Sequence, residues 1–145
     1  MKIRAMQTSD LEQIMVLENE LYKTPWNQSS YEQDLANKLS HLIVLEDASK
    51  IVGYAGIWIV SDDATITKVS IAKNEQGQGL SKLLLNQLIE LAKQSKCQQI
   101  SLEVRIHNKV AHSLYLQSGF KEVSLRRNYY DDGEDAILMV KKIEG

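Results

Sequence analysis

The stretch Ser101–Phe120, "SLEVRIHNKVAHSLYLQSGF", reads as a strand, a short break, a helix, a glycine and the start of another strand. Ile100, Leu102, Val104 and Ile106 alternate along one face of the strand, which leaves Ser101, Glu103 and Arg105 on the other. After the break, Asn108, Ala111, His112 and Tyr115 stand at i, i+3, i+4 and i+7 and share one helical face, while Val110 and Leu114 are expected to point towards the core. Gly119 closes the helix as a left-handed cap. A strand that hands over directly to a helix belongs to an α/β sheet, and in such sheets ligands collect at the carboxyl ends of the strands. Glu103, Asn108 and Tyr115 would converge there. Each has a plain reading as well: Glu103 as a solvated or ion-paired carboxylate, Tyr115 as a packed core phenol. Taken together, an acid to accept a proton, a phenol to donate one and a carboxamide suit group transfer to an amine, and Ala111 leaves room for a ligand.

Upstream, "NEQGQGLSKLL" places Gly77 and Gly79 between a strand and a helix. The first N–H groups of a helix have no partner within it, and with the helix dipole they suit phosphate oxygens, with Lys82 adding a charge. A tight strand-to-helix turn is the alternative. The spacing matches neither a Walker motif nor a dinucleotide fingerprint. In the preceding strand, "DATITKVSIA", Ile66 is out of phase with Val69 and Ile71, which predicts a bulge near Lys68.

The remaining segments complete the fold. "MKIRAM", "HLIVLED" and "KIVGYAGIWIV" are expected strands, the last apolar on both faces and therefore central. Capping-box spacings at Ser9/Glu12 and Ser29/Glu32 predict two helices, the first presenting Leu11, Ile14, Met15, Leu17 and Leu21, the second running to about Leu39. "GLSKLLLNQLIELAKQ" is a helix with Leu80, Leu83, Leu84, Leu88 and Leu91 on its stripe, and "FKEVSLRRNYY" and "AILMVKKI" are strands around "DDGED". The order is β-α-α-β-β-β-α-β-α-β-β: one α/β domain over residues 1–145, with a mixed sheet.

Composition bounds the function. With 43% hydrophobic and 25% charged residues and a net charge of −2, the chain has no general attraction to nucleic acid or an anionic membrane. Cys97 is the only cysteine, so an internal disulfide is impossible. His41, His107 and His112 form no metal pattern, and no metal is expected. The amino terminus lacks the apolar core of a signal peptide, and no run approaches the roughly 18 apolar residues of a membrane helix, so a cytosolic protein is expected. Tyr22, Trp26 and Tyr31 around Pro25, and Tyr129 and Tyr130 at the end of the sixth strand, are candidates to grip an extended peptide, with packing as the alternative.

These motifs resemble the GNAT superfamily of acetyl-CoA-dependent N-acetyltransferases along nearly the whole chain, and within it the ribosomal-protein N-terminal alanine acetyltransferases of the RimI type. The resemblance rests on "PW" at Pro25–Trp26, "LEVR" at Leu102–Arg105, "N..A..LY...GF" from Asn108 to Phe120, "RRNYY" followed by "EDA", and the loop "QGQGLS". It implies a mainly antiparallel twisted sheet of about seven strands with about four helices, splayed between strands four and five. Glu103 would be the proton acceptor and Tyr115 the proton donor. Val69, Ser70 and Ile71 would pair with the pantetheine arm of acetyl-CoA. Gly77, Gln78, Gly79, Leu80, Ser81 and Lys82 would hold its pyrophosphate, with Asn108 a further contact. Ser81 stands where glycine or alanine is usual and Gly77 where a basic residue is common, which leaves Lys82 as a partial substitute. The implied acceptor is the amino-terminal alanine of the eighteenth small-subunit ribosomal protein. A small-molecule amine such as a polyamine or amino acid, and a non-catalytic acyl-CoA-binding domain, are the alternatives. An α-amine has a pKa of about 7.7–8.0 against about 10.4 for lysine, so deprotonation at pH 7 costs roughly 1 kcal/mol rather than about 4.6. One carboxylate acting directly or through water suits the smaller task. A covalent route through Cys97 is disfavoured, because six strand residues place it some 20 Å from Glu103.

Overall fold

In the computed structural model, residues 1–143 are described, and they form seven strands and four α-helices. The strands are β1 (Lys2–Ala5), β2 (Ser40–Asp47), β3 (Lys50–Val60), β4 (Asp63–Ile71), β5 (Gln99–Arg105), β6 (Lys121–Arg126) and β7 (Ala136–Lys142). The helices are α1 (Leu11–Leu21), α2 (Gln28–Ala36), α3 (Leu80–Gln94) and α4 (Lys109–Gln117). A single sheet runs β1-β2-β3-β4-β5-β7-β6, antiparallel at every pairing except β4–β5.

That parallel pairing is short, covering Asp63↔Gln99 to Thr65↔Ser101. Beyond Thr65 the two strands part. The cause lies in β4: Gly56 faces Lys68 while Ile57 faces Ile66, so Thr67 is an extra residue. The bulge expected near Lys68 is therefore present, and it adds local bend and twist where β4 leaves β5. The gap is the place in the sheet where a ligand can meet strand edges without displacing a neighbour.

Helices cover both faces. Leu84, Leu85, Leu88, Ile89 and Ala92 of α3 and Tyr115 of α4 pack with Ile57, Ile100, Leu102 and Met139. Leu11 and Ile14 of α1 and Tyr31 of α2 pack with Val44, Ile51 and Tyr54 on the opposite face. Several local expectations need correction. The buried stripe of α3 turns towards Leu85 and Ile89, which pack in the core with Ile57 and Ile66, and Leu83 is exposed. Ser9 caps nothing: a 3-10 turn at Thr8–Asp10 precedes α1, and Asp10 accepts from the Gln7 amide at 2.7 Å and pairs with Arg4. The second helix starts after Asn27, whose side chain accepts from Ser30 N at 2.8 Å, and ends at Ala36. Asparagine has the short acceptor that an N-cap needs, and it precedes Ser29 in the chain.

Candidate active site

Two cavities meet where β4 and β5 separate. The first, about 590 Å³, lies between the glycine turn and α4; the second, about 600 Å³, lies between the α1–α2 loop and the β6–β7 turn. Tyr22, Val69, Asn108, Ala111 and Tyr115 line both, so these residues stand at the junction.

The first cavity collects Val69, Ser70, Ile71, Gly77, Gly79, Leu80, Ser81, Lys82 and Asn108. Of the residues expected around a cofactor, only Gln78 is not part of the lining. Gly77 and Gly79 have φ of +83° and +80°, and a Cβ on either would meet open space. Glycine is needed there for the left-handed backbone rather than for clearance. Gly79 turns the chain into α3, whose first N–H groups face the same cavity as Lys82. Val110 also lines this space and is 84% exposed, contrary to the expected core position. It lies in the first turn of α4 and faces the gap, while Ala111 beside it packs against the core.

The second cavity collects Glu103, Arg105, Tyr115, Tyr22, Trp26, Tyr129 and Tyr130. Glu103 comes from the outward face of β5, where burial alternates as the spacing of its aliphatics predicts. Arg126 Nε lies 3.6 Å from Glu103 Oε1, which gives that arginine a neighbour the sequence does not indicate. Contact with Glu103, and then burial, pushes the Tyr129 phenol above its ordinary range. Tyr115 is buried, its ring edge-on to Phe120 at 5.8 Å. Burial, reinforced by Tyr22 and Tyr130, raises its pKa beyond that of a free phenol and favours the protonated hydroxyl. Asn108 caps α4 through Oδ1, which accepts from Ala111 N at 3.2 Å and leaves the NH₂ donors free of that bond. His112 turns away, its Nε2 paired with Glu122 of β6. Cys97 is buried and lines neither cavity.

The aromatic candidates divide. Tyr22 and Trp26 line the second cavity, with the Tyr22 hydroxyl bonded to Ser70 Oγ. Tyr129 and Tyr130 line it too, although they follow β6 in the turn rather than end the strand. Tyr31 does not line it: the side chain is fully buried and its hydroxyl donates to Glu18 Oε1 at 2.8 Å.

Sequence reasoning missed Glu18 and Lys68. Glu18 is buried, accepting at Oε1 from Tyr54 as well (2.7 Å) and at Oε2 from Trp26 N (2.9 Å), and it pairs with Lys68. Burial works against its charge, but Lys68 and the donors around it outweigh that and hold the carboxyl below its usual range. The signal was in the spacing: Leu11, Ile14 and Glu18 share the buried face of α1, so a carboxylate occupies a core position and needs partners. Arg105 is the counterpart on the other side. Its guanidinium lies 3.9 Å from the Tyr130 ring centroid, and Nη1 bonds to Asp132 Oδ2 at 2.9 Å and Glu134 Oε1 at 2.8 Å.

Residues 11–120 match the model of the acetyltransferase (GNAT) family. The [ribosomal protein bS18]-alanine N-acetyltransferase of Escherichia coli strain K12 is 31% identical, over 97% of this chain and 97% of its own. That of Haemophilus influenzae is 34% identical, over 94% and 95%. A Bacillus subtilis protein provisionally named for the same activity is 38% identical, over 94% and 92%. The crystal structure of the E. coli ribosomal-protein-S18-alanine N-acetyltransferase superposes with a TM-score of 0.91 at 31% identity, covering 99% of this chain and 94% of that one. A Thermoplasma acidophilum N-acetyltransferase in complex with coenzyme A shares the fold, with a TM-score of 0.82 at 17% identity and 98% of each chain covered. With a split sheet, a glycine turn at the start of α3 and relatives of this closeness, the chain belongs to the GNAT family of N-acetyltransferases.

Proposed function

We propose that this enzyme acetylates the α-amine of a protein amino terminus, with the amino-terminal alanine of ribosomal protein bS18 as its acceptor, and that Glu103 and Tyr115 carry the proton transfers. The observation behind this is that Glu103 and Tyr115, from β5 and α4, line one cavity, and Tyr115 also lines the glycine-turn cavity beside it.

Acetyl-CoA would supply the activated acyl group as a thioester. The left-handed glycine turn, the unpaired N–H groups at the start of α3 and Lys82 fit its pyrophosphate. The unpaired edge of β4 at Val69–Ile71 fits its extended arm and offers N–H groups to a carbonyl oxygen. Glu103 receives the proton of the acceptor ammonium, directly or through water, and frees the lone pair that attacks. Tyr115, kept neutral by its surroundings, gives its proton to the sulfur as the C–S bond breaks, and the second proton lost by the nitrogen as the amide forms returns to the phenol through water. Tyr22, Trp26, Tyr129 and Tyr130 enclose the chain that follows the amine.

Glu103→Gln and Tyr115→Phe should each lower kcat on an alanine-starting bS18 peptide by about 10²–10⁴-fold. Calorimetry should find their acetyl-CoA affinity close to wild type. Unchanged turnover in both variants would remove the assignment; turnover only on small amines would remove the acceptor.

A further inference from the structure

Three rings and a buried carboxylate surround one point on the α1–α2 side of the acceptor cavity. Lys68 Nζ lies 4.0 Å from the ring centroid of Trp26, 4.4 Å from that of Tyr22 and 5.8 Å from that of Tyr31, and it pairs with Glu18. Glu18 has no exposed side-chain surface. Aromatic faces attract a cation through their quadrupole, and a carboxylate adds the counter-charge, so this is the construction of a site for an organic ammonium ion. The ammonium here belongs to the chain itself. A buried carboxylate is tolerated only with a partner, so something positive has to stand beside Glu18.

We propose that Lys68 is the built-in occupant of an ammonium cage made by Glu18, Tyr22, Trp26 and Tyr31, and that by filling it Lys68 excludes cationic acceptors from this wall of the cleft. Lys68, Tyr22 and Trp26 line the acceptor cavity, so the cage without Lys68 would open into the space where the amine arrives. With Lys68 in place, a second cation meets a like charge and rings already occupied. An acceptor with a small uncharged first side chain brings only its α-ammonium, which Glu103 receives, and places no second cation against this wall. Lys68 is thus a specificity-determining residue that acts by rejection. The inference rests on the acetyl-transfer reading only for what counts as an acceptor; the cage is independent of it.

The test is Lys68→Ala, which removes three methylenes and the nitrogen and leaves Glu18 in place. The probe is n-propylammonium, which replaces those atoms. It should raise the melting temperature of Lys68→Ala saturably and leave wild type unmoved, with sodium chloride at equal concentration as control. Spermidine should become a better acceptor, with kcat/KM up at least about tenfold, or about 1.4 kcal/mol. If Lys68→Ala does not fold, the neutral double variant Lys68→Ala/Glu18→Gln still lifts the repulsion, and its kcat/KM for spermidine should exceed that of wild type. No stabilisation of a folded Lys68→Ala by propylammonium beyond the salt control overturns the cage, and spermidine activity no higher than wild type in the folded variants overturns the exclusion. Failure of wild type to acetylate an alanine-starting peptide would strike the acetyl-transfer reading instead, and the melting measurement remains decisive for the cage.

Discussion

On the α1–α2 side of the second cavity Lys68 lies over Trp26 and pairs with Glu18, and the two side chains are 11% and 0% exposed. On the β6–β7 side Arg105 lies over Tyr130 and pairs with Asp132 and Glu134, at 31%, 38% and 19%. Both walls join a cation, a ring and a carboxylate, but they do so in different dielectrics. Charges in the interior are weakly screened and cannot be released to water, so the first pair is all-or-none: whole it is tolerated, halved it is ruinous. Charges at the surface are screened and exchange partners with solvent, so the second wall can loosen by degrees. One side of the cleft is fixed and the other adjustable.

The largest effect should come from halving the buried pair. Glu18→Ala leaves Lys68 without a counter-ion and should destabilise by about 3–5 kcal/mol. For a chain of this size that lowers Tm by roughly 10 °C, measurable by calorimetry. Arg105→Met should shift Tm by no more than about 2 °C. It should instead raise KM for the acceptor peptide several-fold with KM for acetyl-CoA unchanged, because only the Tyr130 wall is released. Equal losses of Tm in the two variants would erase the distinction between the walls.

Salt should sharpen it. Raising ionic strength from 0.1 M to 1 M shortens the screening length from about 10 Å to about 3 Å. Peptide KM in wild type should rise about twofold to threefold, while Arg105→Met, having no clasp to screen, should hardly respond. Steady-state kinetics at the two salt concentrations would decide.

The smallest effect concerns acid. A backbone bond from Glu134 holds the Asp132 carboxyl below its usual range, and Arg105 does the same for Glu134. A carboxylate depressed in the folded state contributes stability that is complete above the ordinary carboxylate pKa of about 4 and is lost as pH falls through the lower folded value. The part of this stability that comes from Arg105, mainly through Glu134, should give a Tm difference between wild type and Arg105→Met that is constant above about pH 5, begins to shrink near about pH 4 and is lost only below the depressed folded value. A difference that persists into acid would place the stabilisation in the Tyr130 stacking rather than in the charges.

Legibility in the sequence follows the same division. The glycine turn, the strand that bulges near Lys68 and the helix that carries Tyr115 are local patterns, so the lining of the first cavity was readable nearly residue by residue. The second cavity is assembled from α1, the α1–α2 loop, β4, β5 and the β6–β7 turn, and no local pattern announces that Lys68 will meet Glu18 fifty residues away or that Arg126 will stand beside Glu103. Tyr31 shows the limit: an aromatic next to a proline loop looks like a peptide contact, and here it lies in the core with its hydroxyl on Glu18.

By itself the sequence determined the order of elements, the period of each, the break in phase on β4 and the face on which Glu103 stands. These follow from chain sterics and hydrophobic periodicity, which act over a few residues. Tertiary structure alone decided which charges met which rings, that Val110 overhangs a cavity instead of filling the core, and how deeply each ion pair is buried. Burial depends on what other segments cover, and it is burial that makes one wall of the cleft rigid and leaves the other free to give.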